Sequence, residues 1–341
     1  VGIKLKDQVD PVKKVITFDD LRGQKIGVDT YNYLYGALYA TKGPGGQPLQ
    51  FNNRVTSHVS FFFHKTMQML ELGIKPVYIF DGEKHFLKFE TMAERREARE
   101  AMKERAEQAR KDGDLDLYYK LSTETQSVES YMIDDLKELF TAFGVPWVQA
   151  KSEGEAQSAY MCAKGDLYGT ASQDYDSLLF GTKVFLRNIY RGEKMHIRGK
   201  EIKLDKERIF LSDVLENIGM TREQLIDVAI LAGTDFNQGI THIGVKTAIK
   251  HIKKYDNIEG VIDNLTNVRE CITLSFANQV REIFLHPRVE SDYSIRFKMP
   301  EFDKLSHLLV TKFGFAQNQV QSKLFSLHKN LEARRVTVAR L

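Results

Sequence analysis

Two short acidic stretches near the middle of the chain carry the residues best suited to chemistry. They are Ser152-Glu153-Gly154-Glu155-Ala156 and, about twenty residues on, Ser172-Gln173-Asp174-Tyr175-Asp176-Ser177. The four carboxylates, spaced i, i+2 within each pair, follow runs that read as buried strands. A buried carboxylate is costly, and neighbouring carboxylates repel each other. Four of them converging at strand ends therefore point to a bound cation, and hard divalent ions such as Mg²⁺ take oxygen ligands of this kind. Each pair also has an ordinary alternative. Ser152-x-x-Glu155 reads as a capping box, with Ser152 at N-cap and Glu155 at N3 of a helix through Ala156 to Ala163. Asp174-x-Asp176 reads as loop punctuation. On these residues alone both readings stay open.

The elements that must position them extend the theme. Lys25-Ile26-Gly27-Val28-Asp29 is an apolar run ending in an acid, and Pro76-Val77-Tyr78-Ile79-Phe80-Asp81-Gly82 repeats it. Gly144 to Ala150 and Leu167 to Ser172 read as strands leading into the two acidic stretches. Helical patterns separate them, so the expected class is α/β with a mostly parallel central sheet flanked by helices. In such sheets ligands bind beyond the carboxyl ends of the strands. Asp29, Asp81, Glu153, Glu155, Asp174 and Asp176 all fall there, and Asp235, at the end of the helix Arg222–Ala232, is a seventh candidate. Seven acids exceed the needs of one ion and suit two, about 4 Å apart, arranged for in-line phosphoryl displacement.

The 341 residues can bury a full core, and a net charge of +3 is too small to identify a nucleic-acid partner by itself. Cys162 and Cys271 offer neither a disulfide framework nor zinc-ligand spacing, which suits a reducing compartment. No apolar run is long enough for a signal sequence or a membrane span.

Elsewhere, Phe61-Phe62-Phe63 lies in an amphipathic helix and reads as core. Glu83 to Lys120 is densely charged with both signs at helical spacing, mostly a solvated helix laced with weak pairs. That helix begins immediately after Asp81, with Lys88 and Arg95 two turns apart on one face. A further helix is expected from about Asp116 to Phe143, and a hairpin over Tyr190 to Leu204. Ser212 is expected to cap Asp213–Ile218, and Thr221-x-x-Gln224 to form a capping box. Gly239 to Lys246 then joins two helices through a Gly-bearing turn in the manner of a helix–hairpin–helix, whose amides and helix N-terminus suit a DNA phosphate.

At this point the residues resemble a known family, the flap endonucleases of the structure-specific 5′-nuclease superfamily, closest to the archaeal enzymes. The resemblance covers roughly Gly2 to Pro287. Its markers are Val28-Asp29, Val77 to Gly82, Ser152 to Ala156, Ser172 to Asp176 and Gly233-Thr234-Asp235-Phe236. It implies a PIN-like 5′-nuclease fold with a helical arch and a helix–hairpin–helix. The whole of 1–341 would be one nuclease domain, with an N-terminal nuclease region over 1–105 and the arch over 83–130. An internal nuclease region would span 122–260, its hairpin motif lying at about 222–255, and a C-terminal helical region would fill 261–341.

The implied function is hydrolysis of a DNA phosphodiester near the single-strand/double-strand junction of a 5′ flap, in replication (Okazaki fragment maturation) and DNA repair. The implied cofactors are two Mg²⁺, with Mn²⁺ as a substitute, held by the seven acids, and a monovalent cation at the hairpin. Lys88 and Arg95 match the family's basic pair at the base of the arch, which engages the scissile phosphate. Tyr35 matches an aromatic that stacks a base beside that phosphate, and Gly2 a glycine close to the site. Gly239, Gly244 and Lys246 would hold the duplex backbone. The implied partner is branched DNA, the chain a monomer without membrane attachment, in the cytoplasm and nucleoid of an archaeon or the nucleus of a eukaryote.

Two features depart from the family pattern. His242-Ile243-Gly244 stands where Gly-Ile-Gly is usual, with Val245 before Lys246. The family's C-terminal sliding-clamp peptide is not evident in Arg335 to Leu341, and Gln321-x-x-Leu324-x-x-Leu327-His328 reads as one face of a helix. The alternatives are a 5′→3′ exonuclease or junction-specific repair nuclease of the same superfamily and, in a different class, a metal-dependent small-molecule phosphatase using Asp174-x-Asp176. A catalytically silent DNA-binding scaffold would leave the acids without a role.

Overall fold

The computed structural model describes residues 2–43, 47–114, 127–192, 194–197 and 200–338, together with 117, 118, 121 and 125; of 89–95, 194–197, 200–202 and 335–338 it describes the backbone alone. Part of the expected arch and the side chain of Arg95 thus lie outside the described residues.

Seven strands form the central sheet: β1 (Lys14–Ile16), β2 (Lys25–Asp29), β3 (Lys75–Phe80), β4 (Trp147–Gln149), β5 (Gly169–Ala171), β6 (Val184–Arg187) and β7 (Lys206–Phe210), in the order β1-β7-β6-β5-β2-β3-β4. β6, β5, β2, β3 and β4 run parallel, while β1 and β7 add an antiparallel flank. The parallel part requires crossovers, and the helices supply them. Those used below are α1 (Thr30–Ala40), α2 (Ser57–Leu72), α3 (Lys88–Lys111), α4 (Ser130–Ala142), α5 (Gly154–Ala163), α6 (Arg222–Ala232), α7 (Val245–Tyr255), α8 (Ile258–Asn264), α9 (Leu274–Leu285) and α10 (Gln317–Val338).

Strand periodicity divides the interior in two. Tyr78 and Phe80 point into one core with Leu34 of α1, Phe62 and Phe63 of α2, Phe140 of α4 and Leu324 and Leu327 of α10. Tyr78 stacks flat on Phe140 at 3.6 Å, and its hydroxyl is satisfied by Thr66 at 2.7 Å and Tyr190 at 3.0 Å, so a polar tip is buried without an orphaned group. The phenylalanine triplet is core as expected, with Phe62 and Phe63 buried and Phe61 packed against them. The burial of Leu324 and Leu327 also makes the motif beginning at Gln321 one face of a helix. Val77 and Ile79 face the other way, onto Met161 and Cys162 of α5. That face carries the bundle of α6, α7, α8 and α9.

The bundle is pinned by a carboxylate. Asp227 of α6, 1% exposed, accepts two hydrogen bonds from Arg281 of α9, at 2.7 and 3.0 Å, and one from the Ile258 amide at the start of α8, at 3.0 Å. Asp227→Asn keeps the shape but loses the charge that Arg281 faces. It is expected to cost about 2 kcal/mol, read as a lower Tm and denaturant midpoint.

Three local expectations are corrected. The helix over Asp116 to Phe143 is not continuous, because 127–129 are non-helical and α4 starts at Ser130. Ser212 does not cap, since β7 runs directly into the helix Leu211–Ile218 with Phe210 at N-cap. The Ser152 capping box is absent: Glu153 is the N-cap of α5, with no side-chain cap hydrogen bond. The Ser152 carbonyl instead accepts the Gly82 amide at 2.6 Å, which ties the turn after β4 to the end of β3. The Thr221–Gln224 capping box and the hairpin, Lys194–Ile197 against Lys200–Lys203, form as expected.

Candidate active site

The C-terminal edge of the parallel strands gathers the acids. Asp29 ends β2 and is also the N-cap of α1, its carboxylate accepting the Asn32 amide at 3.1 Å and the Ser172 hydroxyl at 2.8 Å. Asp81 follows β3 and accepts the Gly154 amide at 2.7 Å, so the first turn of α5 is tethered to it. Glu153 and Glu155 open α5 after β4. Asp174 and Asp176 follow β5, and Asp235 lies three residues beyond the end of α6.

The N-terminal segment closes this edge. The Ile3 amide donates to Asp176 at 2.8 Å, and the Gly2 amide is hydrogen-bonded to Asp174. A Cβ on Gly2 would stand 1.7 Å from the Asp174 carboxylate, so only glycine fits there without displacing an acid. Gly82 is equally constrained, since a Cβ on it would meet the Ala150 carbonyl at 2.1 Å. Glycine thus allows the ends of β3 and β4, and with them Asp81 and Glu153, to approach.

These side chains resist ionisation together. Burial, then repulsion from Asp174 and Glu153, outweighs the hydrogen bonds to Asp29 and pushes its carboxyl up to about 6. Burial and then the charges of Asp29 and Glu153 push Asp81 up to about 7. Burial and Asp174 push Asp176 up to about 8. Glu155 is raised well above its ordinary value by burial and by Asp174, Asp29 and Asp176, and Asp174 is raised by burial and Asp235.

Lys88, at the start of α3, inserts an ammonium among them, 2.5 Å from Glu153 and 3.7 Å from Asp235. Burial works against that charge, but Glu153 and Asp235 outweigh it and hold Lys88 above the ordinary lysine range. The ammonium also lies 4.8 Å above the Phe236 ring. Among the described residues no three acidic, histidine or cysteine side chains close around a single point as they stand. The donor set nevertheless fits hard divalent cations: seven carboxylates and no soft ligand, desolvated and mutually repelling, a cost that bound positive charge relieves.

The sequence matches the XPG N-terminal domain over residues 1–102 and the XPG I-region over 144–235. It is 37% identical over 325 residues to flap endonuclease 1 of Methanoculleus marisnigri, covering 95% of each chain. The chain belongs to the flap endonuclease family. The structure of flap endonuclease-1 from Methanococcus jannaschii superposes with a TM-score of 0.76 at 32% identity, over 98% of this chain and 100% of that one. The catalytic core of Rad2 in complex with a DNA substrate shares the fold, with a TM-score of 0.73 at 22% identity, over 96% of this chain and 100% of that one. Flap endonucleases are nucleases that use divalent metals, and this chain is a nuclease of that fold. No helix among its described residues is long and apolar enough to cross a membrane.

The other residues expected at a flap endonuclease site lie on α1, on α3 and in the hairpin before α7. Tyr35 is 48% exposed on α1, on the sheet face opposite α5, and Tyr31, one turn earlier, feels the charge of Asp81. The Arg95 side chain lies outside the described residues. In the hairpin, Gly239 packs against the end of α6, where a Cβ would meet the Ala232 carbonyl at 2.3 Å; Gly244 is the N-cap of α7 and has open space around it. Lys246, in the first turn of α7, is exposed and paired with Asp7 at 2.7 Å.

His242 is exposed, as a surface residue should be, but its φ is +67°, in the left-handed region that favours glycine. His242→Gly is therefore expected to stabilise the protein by about 0.5 kcal/mol, read as a small rise in denaturant midpoint. Sequence reasoning missed the residues that hold the acids in place. Asn32 and Ser172 orient Asp29, and Gln149 reaches the Asp81 carbonyl at 2.5 Å. Neighbouring carboxylates are the signal that would have found them, since each such group needs donors.

Proposed function

We propose that this flap endonuclease cleaves a 5′-flap DNA near its single-strand/double-strand junction with two Mg²⁺ ions, for which Mn²⁺ substitutes, held by Asp29, Asp81, Glu153, Glu155, Asp174, Asp176 and Asp235. The observation that carries the reading is the convergence of these seven acids on one buried sheet edge around the ammonium of Lys88. Bound divalent ions lower the pKa of an attacking water and stabilise the charge that develops on a phosphate.

The chain's own part is placement and charge. Ser172, Asn32 and the Gly154 amide fix the carboxylates, so little reorganisation accompanies reaction. Lys88 exchanges part of its contact with Glu153 for the scissile phosphate, with Arg95 two turns along α3 as its companion. Tyr35 stacks the base beside that phosphate, a contact every base can make. Gly239, Gly244 and Lys246, with the open amides at the start of α7, hold duplex phosphates. The biological setting that fits is Okazaki fragment maturation and DNA repair.

The test compares labelled 5′-flap, nicked-duplex and bubble substrates in Mg²⁺. The reading requires the flap to be cut with the highest kcat/KM, at or next to the junction. A nicked duplex degraded from its 5′ end faster than the flap is cut would make the enzyme an exonuclease instead.

A further inference from the structure

A hollow of about 400 Å³ adjoins the acids on the α5 face of the sheet, opposite Tyr35. His85 and Phe86 at the root of the arch form one wall, Glu153 and Phe180 the floor, and Ile283 and His286 at the end of α9 the far side. Its volume falls within the range of about 300–1,000 Å³ usual for small-ligand sites. Its wall is mainly carbon, yet it opens on the catalytic edge, for the Glu153 carboxylate that lines it also holds Lys88 at 2.5 Å.

The aromatic surface is continuous with the site. Phe86 is 61% exposed and lies against the His85 ring, centroids 4.5 Å apart and tilted by 33°. His85 meets Phe236 edge-on at 6.0 Å, and the Lys88 ammonium stands over that same Phe236 ring. A large phenylalanine left open beside a charged site gains from being covered by another flat apolar surface. In a single strand leaving a duplex, each base has faces free to do this.

We propose that this hollow is a base-binding subsite for the flap strand, and that the nucleobase on the 5′ side of the scissile phosphate stacks on Phe86. The inference rests on the flap-cleaving reading above. It puts an aromatic platform on each side of the acids, Tyr35 on one face of the sheet and Phe86 on the other. The reacting phosphate is then held from both sides, and the flap base contributes to its placement without sequence preference.

The test uses the full chain, Phe86→Ala and Phe86→Tyr, with 2-aminopurine at the first flap nucleotide, whose fluorescence falls on stacking. In EDTA, where the strand stays intact, the wild type is expected to quench the probe. Phe86→Ala should restore its fluorescence and weaken flap binding about tenfold, while blunt-duplex binding stays unchanged; Phe86→Tyr should regain both quenching and affinity. Equal quenching and equal flap affinity in Phe86→Ala and wild type would overturn the subsite, as would a tyrosine that rescues neither. The two failures are distinguishable: a wild type that cuts blunt duplex as well as flap sinks the flap-selective reading, whereas a flap-selective wild type matched by Phe86→Ala sinks only the subsite.

Discussion

Asp81→Asn is expected to lower flap cleavage by about 10³-fold or more while making the metal-free protein more stable. The two effects share one cause. Asp81 is held against Asp29 and Glu153 in a desolvated edge, which pushes its carboxyl up to about 7. The amide keeps the shape and its oxygen still accepts the Gly154 amide, so the fold loses a repelling charge and little else. Catalysis loses a charged oxygen ligand, and several kcal/mol of metal-borne charge stabilisation corresponds to three or more decades in rate.

The sign of the pH dependence follows from the same shifts. Asp29, Asp81 and Asp176, at about 6, 7 and 8, sit above the ordinary carboxylate value of 3.8. Each therefore favours the folded state when protonated, a contribution fully present below about pH 4 and lost as pH rises through its folded value. In EDTA the Tm contribution of these groups should fall between about pH 4 and pH 8, and Asp81→Asn should flatten part of that fall. Equal cleavage by mutant and wild type, or a less stable metal-free mutant, would contradict this account of Asp81.

Lys88→Met is expected to act in the opposite sense on the fold and in the same sense on rate. Its ammonium is the positive charge that Glu153 and Asp235 face, and its side chain is 17% exposed. Removing one partner of such a pair leaves the others uncompensated, and the metal-free protein should lose about 3 kcal/mol. The rate kcat should drop by about 10²–10³-fold, the usual consequence of deleting one electrostatic contact to a developing charge. Divalent-metal affinity, however, should be retained or improved, because the acids then present more negative charge. Titration of Mn²⁺ into the variant separates the roles: weaker binding together with the lost rate would mean that Lys88 organises the ion site rather than the phosphate.

Much of this site was legible because its parts are local. β2 and β3 are short apolar runs that end in an acid, and a strand followed by a helix has one place to put that acid. The acids gathered at this edge therefore follow from strand ends, Asp235 beyond the helix α6 apart, whereas the details of their support do not. The capping box at Ser152 failed because its carbonyl pairs with Gly82, an end-to-end contact between parallel strands seventy residues apart in sequence. The grip of Ile3 on Asp176 spans 173 residues, and the clasp of Asp227 and Arg281 spans 54; no periodicity announces either. His242 is a different case. The departure from Gly-Ile-Gly was visible, but its positive φ could be known only from the backbone. His85 and Phe86 passed unnoticed because two aromatics before a charged helix look like any loop until α9 is seen to face them.

Anomalous diffraction from crystals grown in Mn²⁺ tests the central claim most directly. The account requires two peaks about 4 Å apart, both bounded by Asp29, Asp81, Glu153, Glu155, Asp174, Asp176 and Asp235, and both lost or weakened in Asp81→Asn. A single peak, or peaks away from this edge, would contradict a two-ion site.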